Sequence, residues 1–309
     1  MTNSPSVAVV IPTLNSARFL AESVLSLRVG DARPMIFILD GGSTDGTQEI
    51  GRALKTLVID LPGLHPTERI DEWMRMLINP HYDFLAIQHS DDIALPRRLE
   101  IQRDAFARDP SLGCVGGAMK PFWHEPDAQR FEGQGLVLPP REHEDIAAQL
   151  PFWWVMPAPA LMFDLGKLRA TGVPFANQFK FCNDWWHTWE LAKSGLRFAN
   201  PAEPVLCYRR HPGSDGPMNR AQVEAEGKEI RRDILGSMGV GATVGDLFCP
   251  GLIHLEGGPL WQGTPHQLPA ARDWLLSLMR QTDDPALHNL CQRLHAQLGG
   301  NPPSAFPDL

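Results

Sequence analysis

Three short segments place acids, cations and an imidazole where they can do chemistry. Ser90-Asp91-Asp92 follows an apolar run, Asn183-Asp184 opens a tryptophan-rich amphipathic stretch, and Tyr208-Arg209-Arg210-His211 lies downstream of both. Adjacent carboxylates hold a divalent cation or accept hydrogen bonds from a base and a ribose. A carboxylate beside a bound hydroxyl can take its proton as a new bond forms. Arginines grip phosphate oxygens bidentately, and an imidazole reaches a phosphate or a metal. Each segment also has a plainer use: acids at a helix start cap it and complement its dipole, and paired arginines commonly form a solvated face.

These residues need elements to position them. Val7-Ala-Val-Val-Ile11, Met35-Ile-Phe-Ile-Leu39, Leu57-Val-Ile59 and Phe84-Leu-Ala-Ile-Gln88 read as buried strands. Between the first two, Asn15 or Ser16 caps a helix to about Arg28, with Leu20, Val24 and Leu27 facing the sheet. Another helix starts near Thr47, Pro96 opens one running to about Arg108, and one runs from near Asp184 to Lys193 or Ser194, where Gly195 closes it. Alternating strands and helices predict βαβ units in a mainly parallel, doubly covered sheet. Ligands of such sheets bind outside the carboxyl ends of the strands. There stand Pro12-Thr-Leu-Asn15, Asp40-Gly-Gly-Ser-Thr-Asp45 and Ser90-Asp91-Asp92. Neither a Gly-x-Gly-x-x-Gly dinucleotide loop nor a phosphate P-loop follows the first strand. Residues 111 to 180 are less regular, and beyond about Gly216 helical patterns at Gln222–Leu235 and Ala270–Gln281 flank a Gly/Pro-rich stretch.

The chain resembles the inverting family 2 glycosyltransferases of the GT-A fold. Four motifs in the family's order carry the resemblance: Val9-Val-Ile-Pro-Thr-Leu-Asn15, Leu39-Asp-Gly-Gly-Ser-Thr-Asp-Gly-Thr47, His89-Ser-Asp-Asp-Ile-Ala-Leu-Pro96, and Asn183-Asp184-Trp followed by Tyr208-Arg-Arg-His-Pro-Gly-Ser214. They span roughly residues 5 to 215. The resemblance implies a Rossmann-like α/β catalytic domain over residues 1–215, with a nucleotide-binding half at 1–110 and an acceptor-binding half at 111–215. A mostly helical C-terminal region at 216–309 follows.

It further implies that Asp92 ligates Mn²⁺ or Mg²⁺ and that Asp91 meets the ribose or a metal-bound water. Asp184 is then the base that deprotonates an acceptor hydroxyl. Arg209 or Arg210 closes over the diphosphate as part of a loop, and His211 reaches a phosphate or the metal. Pro12, Thr13 and Asn15 form the base pocket. Relatives commonly carry two successive acids after strand two; here the second is Gly41, so the base contact comes from Asp40 or from backbone. Asp45 ties down its own turn, and Arg69 sits near a position from which relatives reach the diphosphate. His89 stands where relatives carry an acid, and Asn183 where they carry Glu, which places Asn183 at the acceptor. Trp185 and Trp189, four apart on one helix face, are core by default; Trp153, Trp154 and Trp186 flank the proposed base and offer faces for a sugar to stack on.

Composition bounds the reading. Of 309 residues 43% are hydrophobic and 21% charged, which fits a globular chain large enough for its own core. The net charge of −8 excludes a broadly basic nucleic-acid surface. Five cysteines without metal-ligand spacing indicate a reduced, intracellular protein, and the N-terminus lacks a signal-peptide pattern, so the expected location is the cytoplasm. From residue 216 there are 7 Lys/Arg against 10 Asp/Glu, which leaves no polybasic membrane patch, although peripheral membrane contact and a homodimer stay open. The expected reaction moves a hexosyl or N-acetylhexosaminyl group from a nucleoside diphosphate sugar, a UDP-sugar first, to a saccharide, glycolipid or polypeptide hydroxyl in cell-surface polysaccharide or glycoconjugate synthesis. The alternatives are a sugar-nucleotide nucleotidylyltransferase, which needs an Arg-containing Gly-rich loop after the first strand, and a non-catalytic binding module.

Overall fold

The computed structural model describes residues 5–76, 82–124, 131–133, 136–152, 154–175, 178–213, 219–241, 252–255, 258–261 and 268–299. Its first hundred residues run β1 (Val7–Thr13), α1 (Ala17–Ser26), β2 (Met35–Asp40), α2 (Thr47–Ala53), β3 (Leu57–Asp60), α3 (Pro66–Met76), β4 (Phe84–Ile87), β5 (Ile93–Ala94) and α4 (Arg98–Arg108). Then come β6 (Leu112–Val115), β7 (Ala118–His124), β8 (Phe131–Gly133), α5 (His143–Gln149), a 3₁₀ turn (Ala158–Ala160), β9 (Met162–Asp164), α6 (Leu165–Thr171), α7 (Asn183–Lys193), β10 (Arg197–Ala199) and β11 (Pro204–Arg210). The tail holds α8 (Arg220–Ser237), the hairpin β12–β13 (Leu252–Leu255, Gly258–Trp261), α9 (Leu268–Gln281) and α10 (Pro285–Gln297).

A seven-stranded sheet in the order β10-β6-β9-β4-β1-β2-β3 forms the centre. β4, β1, β2 and β3 are mutually parallel, and β9 runs antiparallel between β4 and β6. Alternation sends Ala8, Val10, Phe37 and Leu39 into one apolar cluster and Val7, Val9, Ile36 and Ile38 into another. Both faces of the strands are thus buried, which is why β1 reads as an unbroken apolar run. A second sheet, β5-β11-β7-β8, lies beside the first, with β11 parallel to β7 and antiparallel to β5.

Three expectations change. The segment Tyr208–Arg210 is not a loop but the end of β11, where backbone pairing with β7 fixes which side chain faces which way. The helix expected at Pro96 begins at Arg98, because Ile93–Ala94 is taken up as β5 and Arg97 turns through a left-handed φ of 62° first. Helices α3, α5, α6 and α10 add to those expected from the sequence. Pro66 and the spacing of Ile70 and Trp73 signal α3, and Leu287, Leu290 and Leu294 signal α10.

Gln102, wholly buried on α4, ties the end of β6 to the 3₁₀ turn ahead of β9: its amide nitrogen shares its two hydrogens among the carbonyls of Val115 (3.1 Å), Gly116 (2.9 Å) and Ala160 (2.7 Å). Replacing it by Leu strips these carbonyls of that donor. The Gln102→Leu protein is expected to lose about 1–3 kcal/mol of stability, read as a lowered midpoint in urea with an unchanged slope.

Candidate functional site

Strands β1, β2 and β4 end on one side of the sheet, and β11 is brought to the same place by β5. Ala94 pairs with Leu206 and Ile93 with Cys207, so the turn before β5 lies against the residues after Cys207. In consequence the backbone N–H of Arg209 donates to Asp92 Oδ1 (2.8 Å), and His211 Nε2 lies 3.1 Å from Asp91 Oδ2. His211 is thus placed against Asp91 rather than Asp92. Its ring packs on Phe19, centroids 4.8 Å apart.

The two acids are electrostatically distinct. Asp92 is wholly buried, and burial, reinforced by the Asp91 charge, pushes its carboxyl well above the usual range; its Oδ2 has no hydrogen-bond partner among the described residues. Burial also pushes Asp91 upward, but the hydrogen bond with His211 and the nearby charge of His89 outweigh it, and Asp91 ends below its usual value. His89 Nδ1 lies 4.0 Å from Asp92 Oδ2, and one donor atom from each of His89, Asp91 and Asp92 falls within 4.8 Å of the others.

Arg209 and Arg210 part company because successive strand residues face opposite ways. The Arg209 side chain is fully buried: its Nε donates to the Asp91 carbonyl (2.5 Å), Nη2 pairs with Glu22, and its guanidinium lies over Phe19 (4.7 Å) and Phe122 (4.9 Å). Arg210 is half-buried and its charge acts on Tyr208. Burial, then the Asp92, Asp91 and Asp184 charges, raise the Tyr208 hydroxyl well above its usual range.

Asp184 lies in the first turn of α7, with Cys182 at the N-cap. Burial pushes its carboxyl up to about 6 against hydrogen bonds from the backbone N–H groups of Trp185 and Ala158 and from the side chain of Trp154. Trp154 is 37% exposed, so its ring meets both solvent and the carboxylate. Trp186 leans on Phe179, centroids 5.6 Å apart. Trp185 is in the core, donating from Nε1 to the Leu150 carbonyl (2.6 Å), and Trp189 packs against the same cluster. The Asn183 amide turns inward and donates to Thr67 Oγ1 (2.9 Å), so it braces α7 against α3. Trp153 and Ser214 lie outside the described residues.

The loop after β1 is tied to the loop after β2. Asn15, at a φ of 49°, receives the Thr44 N–H on Oδ1 (3.0 Å) and donates its own N–H to Ser43 Oγ (2.8 Å). Pro12 pairs in register with Leu39. Thr13 donates from its hydroxyl to Asp40 (3.2 Å), and its carbonyl accepts from Gly41 N–H (2.8 Å) and Arg69 Nη1 (2.7 Å). Asp40 is saturated: it accepts from Thr13, Gln48 and the Ser43 hydroxyl, and from the N–H groups of Gly42 and Ser43. Burial pushes it up, yet these bonds hold its carboxyl below the usual value. Asp45 binds Thr47 within its own turn and also caps α1 through the Ala17 N–H (2.9 Å).

Gly41 explains the missing second acid. A Cβ there would sit 2.2 Å from Arg69 Nη2, and Arg69 is 4% exposed and pinned to the Thr13 and Leu64 carbonyls. Gly41→Ala is expected to destabilise by about 1–3 kcal/mol, read by thermal unfolding, because the guanidinium has little room to retreat. A second expectation follows from Asp184. Its folded value near 6 exceeds the 3.8 of an ordinary Asp, so the folded state binds the proton more tightly, and stability is lost as pH rises from about 4 to above 6. The melting temperature of Asp184→Asn should match the parent at pH 3.5, exceed it increasingly toward pH 6.5, and then hold a constant lead.

The architecture has counterparts. Residues 8–163 match the family model described as glycosyl transferase family 2. No curated protein sequence matches the chain. Among solved structures, a mannosyltransferase of Pyrobaculum calidifontis, in complex with GDP-Man and Mn²⁺, superposes with a TM-score of 0.58 at 16% identity, over 96% of this chain and 85% of that one. Residues 1–349 of S. aureus TarS, in complex with UDP-GlcNAc, give 0.55 at 15% identity over 95% and 87%; of the longer TarS chain the match spans 53%. Glucosyl-3-phosphoglycerate synthase of Mycobacterium tuberculosis, in complex with Mn²⁺ and UDP, gives 0.51 at 16% identity over 84% and 88%. At such identities the likeness is one of fold, and it is the GT-A fold. Because the family model covers half of the sequence, from the start of β1 to the middle of β9, the chain belongs to glycosyl transferase family 2.

Proposed function

We propose that this glycosyltransferase inverts the anomeric centre and depends on a divalent cation, moving a hexosyl or N-acetylhexosaminyl group from a nucleoside diphosphate sugar, UDP-sugars first, to a hydroxyl of a saccharide, glycolipid or polypeptide. The observation that carries the reading is the cluster of His89, Asp91 and Asp92, whose donor atoms lie within 4.8 Å of one another at the carboxyl end of β4, with Asp92 Oδ2 buried and without a partner among the described residues. This cluster supports a cation site on the diphosphate side, to which Asp184 adds a base-like carboxylate for transfer to a hydroxyl. The proposed setting is the cytoplasm and cell-surface polysaccharide or glycoconjugate synthesis, with residues 1–215 as the catalytic unit.

The donor set fits a cation. Asp92 Oδ2 is buried without a partner among the described residues, His89 Nδ1 is 4.0 Å away, and Asp91 completes a mixed oxygen and nitrogen group better suited to Mn²⁺ than to Mg²⁺. Asp91, Asp92 and His89 would hold the ion, with His211 adjoining through Asp91. A divalent cation there supplies positive charge to the departing diphosphate. Arg210 is then the arginine of the pair that meets phosphate oxygens, since Arg209 is occupied by Glu22 and the Asp91 carbonyl. With Asp40 saturated, the nucleobase contact falls to the backbone of the Thr13 to Asn15 loop, backed by Arg69.

Asp184 performs the proton step. At pH 7 a carboxyl titrating near 6 is mostly ionised, yet it is a stronger base than a free aspartate. Trp154 and the Ala158 N–H hold its oxygens, leaving it to accept the acceptor's proton while the nucleophile attacks opposite the diphosphate. The exposed Trp154, with Trp186 beside it, offers apolar ring faces to the acceptor sugar.

Thermal shifts and sugar-nucleotide hydrolysis with UDP-, GDP- and dTDP-sugars, with and without Mn²⁺, test this reading. A nucleotide shift that requires Mn²⁺ and disappears in Asp92→Ala is expected, and none of these nucleotides binding with metal would sink it. Asp184→Asn should lower turnover about 10²–10⁴-fold with nucleotide affinity unchanged, and the parent's turnover should fall with decreasing pH through an apparent value near 6.

A further inference from the structure

The tail beyond the catalytic motifs reaches the candidate base. Helix α8 sends the Glu226 carboxylate to the segment just ahead of α7, where it accepts three successive backbone N–H groups: Lys180 (3.1 Å) on Oε1, and Phe181 (2.8 Å) and Cys182 (2.9 Å) on Oε2. These residues directly precede Asn183-Asp184. Two turns of α8 continue the contact. Ile230 and Ile234 enter the core cluster that holds Trp185, and the Arg231 guanidinium lies 5.7 Å over the Trp185 ring and donates from Nη1 to the Phe152 carbonyl (3.4 Å). Phe152 is two residues from Trp154, whose side chain binds the Asp184 carboxylate. One face of α8 therefore touches both segments that deliver partners to Asp184. From the opposite side, the imidazole Nε2 of His65, just before α3, bonds the Lys180 carbonyl (3.0 Å).

We infer that Glu226 is a positioning residue for transfer: by gathering the N–H groups of residues 180–182 onto one carboxylate, it sets the origin of α7 and with it the reach of Asp184. Three amide donors converging on an ionised acceptor are charge-assisted and directional, so they define the segment's conformation more sharply than packing does. Without them, residues 178–182, which are bends rather than regular structure, can relax, and the start of α7 with them. Displacing a catalytic group by about 1 Å costs on the order of 10²-fold in rate. The inference rests on Asp184 being the base, and it gives the tail a part in catalysis rather than a place beside it.

Hydrogen exchange and donor hydrolysis on the full-length chain test it, with Glu226→Ala and the isosteric Glu226→Gln, which keeps one acceptor oxygen. In the unliganded protein, Glu226→Ala should speed exchange at residues 180–182 and, by on the order of tenfold, at Trp186 to Thr188, while β1 and β4 keep their protection. Faster exchange confined to 180–182 overturns the inference, because the segment then does not govern the helix. Exchange rising throughout overturns it too, because Glu226 then holds the fold and not the base. If Glu226→Ala does not fold, Glu226→Gln is read by the same criteria. In hydrolysis of UDP-GlcNAc, UDP-glucose and GDP-mannose with Mn²⁺, kcat should fall about 10- to 100-fold while the Kd for the matching nucleoside diphosphate stays within twofold. Unchanged kcat, or a parallel loss of nucleotide affinity, rules against it. Asp184→Asn is measured alongside: full activity there refutes the base assignment, whereas an inactive Asp184→Asn beside a fully active Glu226→Ala refutes only the role of Glu226.

Discussion

Two residues of antiparallel strand hold the acid-bearing site together. Ile93 and Ala94 pair with Cys207 and Leu206, and everything of chemical interest between Asp91 and His211 depends on that register. A slip of one residue would turn every side chain of the pair to the opposite face and part Asp91 from His211. So short a ladder cannot sustain itself. It is fixed from outside by the Leu95 N–H bond to the Val205 carbonyl (2.9 Å), by the Ala94 N–H bond to Ser26 Oγ (2.9 Å), and by the Arg209 N–H bond to Asp92 (2.8 Å). Beneath it, Arg98 is wholly buried on α4 and donates to the Ile87 carbonyl (2.7 Å), while burial draws its guanidinium down to about 10. The acids thus rest on a floor of buried, hydrogen-bonded polar groups, not on apolar packing alone.

That floor gives the net negative charge a different meaning. The site does not assemble its cations by massing them at the surface. Arg209 is spent inside the protein, between two phenylalanine rings and Glu22, where it stiffens the end of β11. Arg98 and Arg69 are likewise buried and bonded to carbonyls. Much of the positive charge near the acids is therefore structural.

Local signals were legible in the sequence. Apolar runs gave β1, β2 and β4, Gly195 marked the end of α7, and Asp184 sits at the start of that helix. The order of the acidic and basic motifs carried the family. What sequence could not convey was partnership across long separations. Nothing near Arg209 announces that its side chain turns toward Glu22, since alternation on a strand decides that, and Arg-Arg is ambiguous until the strand is known. Asp40 looks available until Thr13, Ser43 and Gln48 are seen to consume it. Asn183 looks like an acceptor contact until Thr67 claims its amide. Glu226 carries no local mark at all, because its partners are backbone N–H groups more than 40 residues earlier.

Gly41 and Arg69 occupy one volume between them, with the guanidinium standing where a side chain at position 41 would begin. The two positions are therefore not free to vary independently. A chain that acquired an acid at 41 while keeping Arg69 would have an overcrowded loop, and one that lost Arg69 would leave the Leu64 carbonyl without that donor and the Thr13 carbonyl with only the Gly41 N–H. Either change alone carries a cost that the paired change can relieve, so the effects of the two positions on stability couple rather than add.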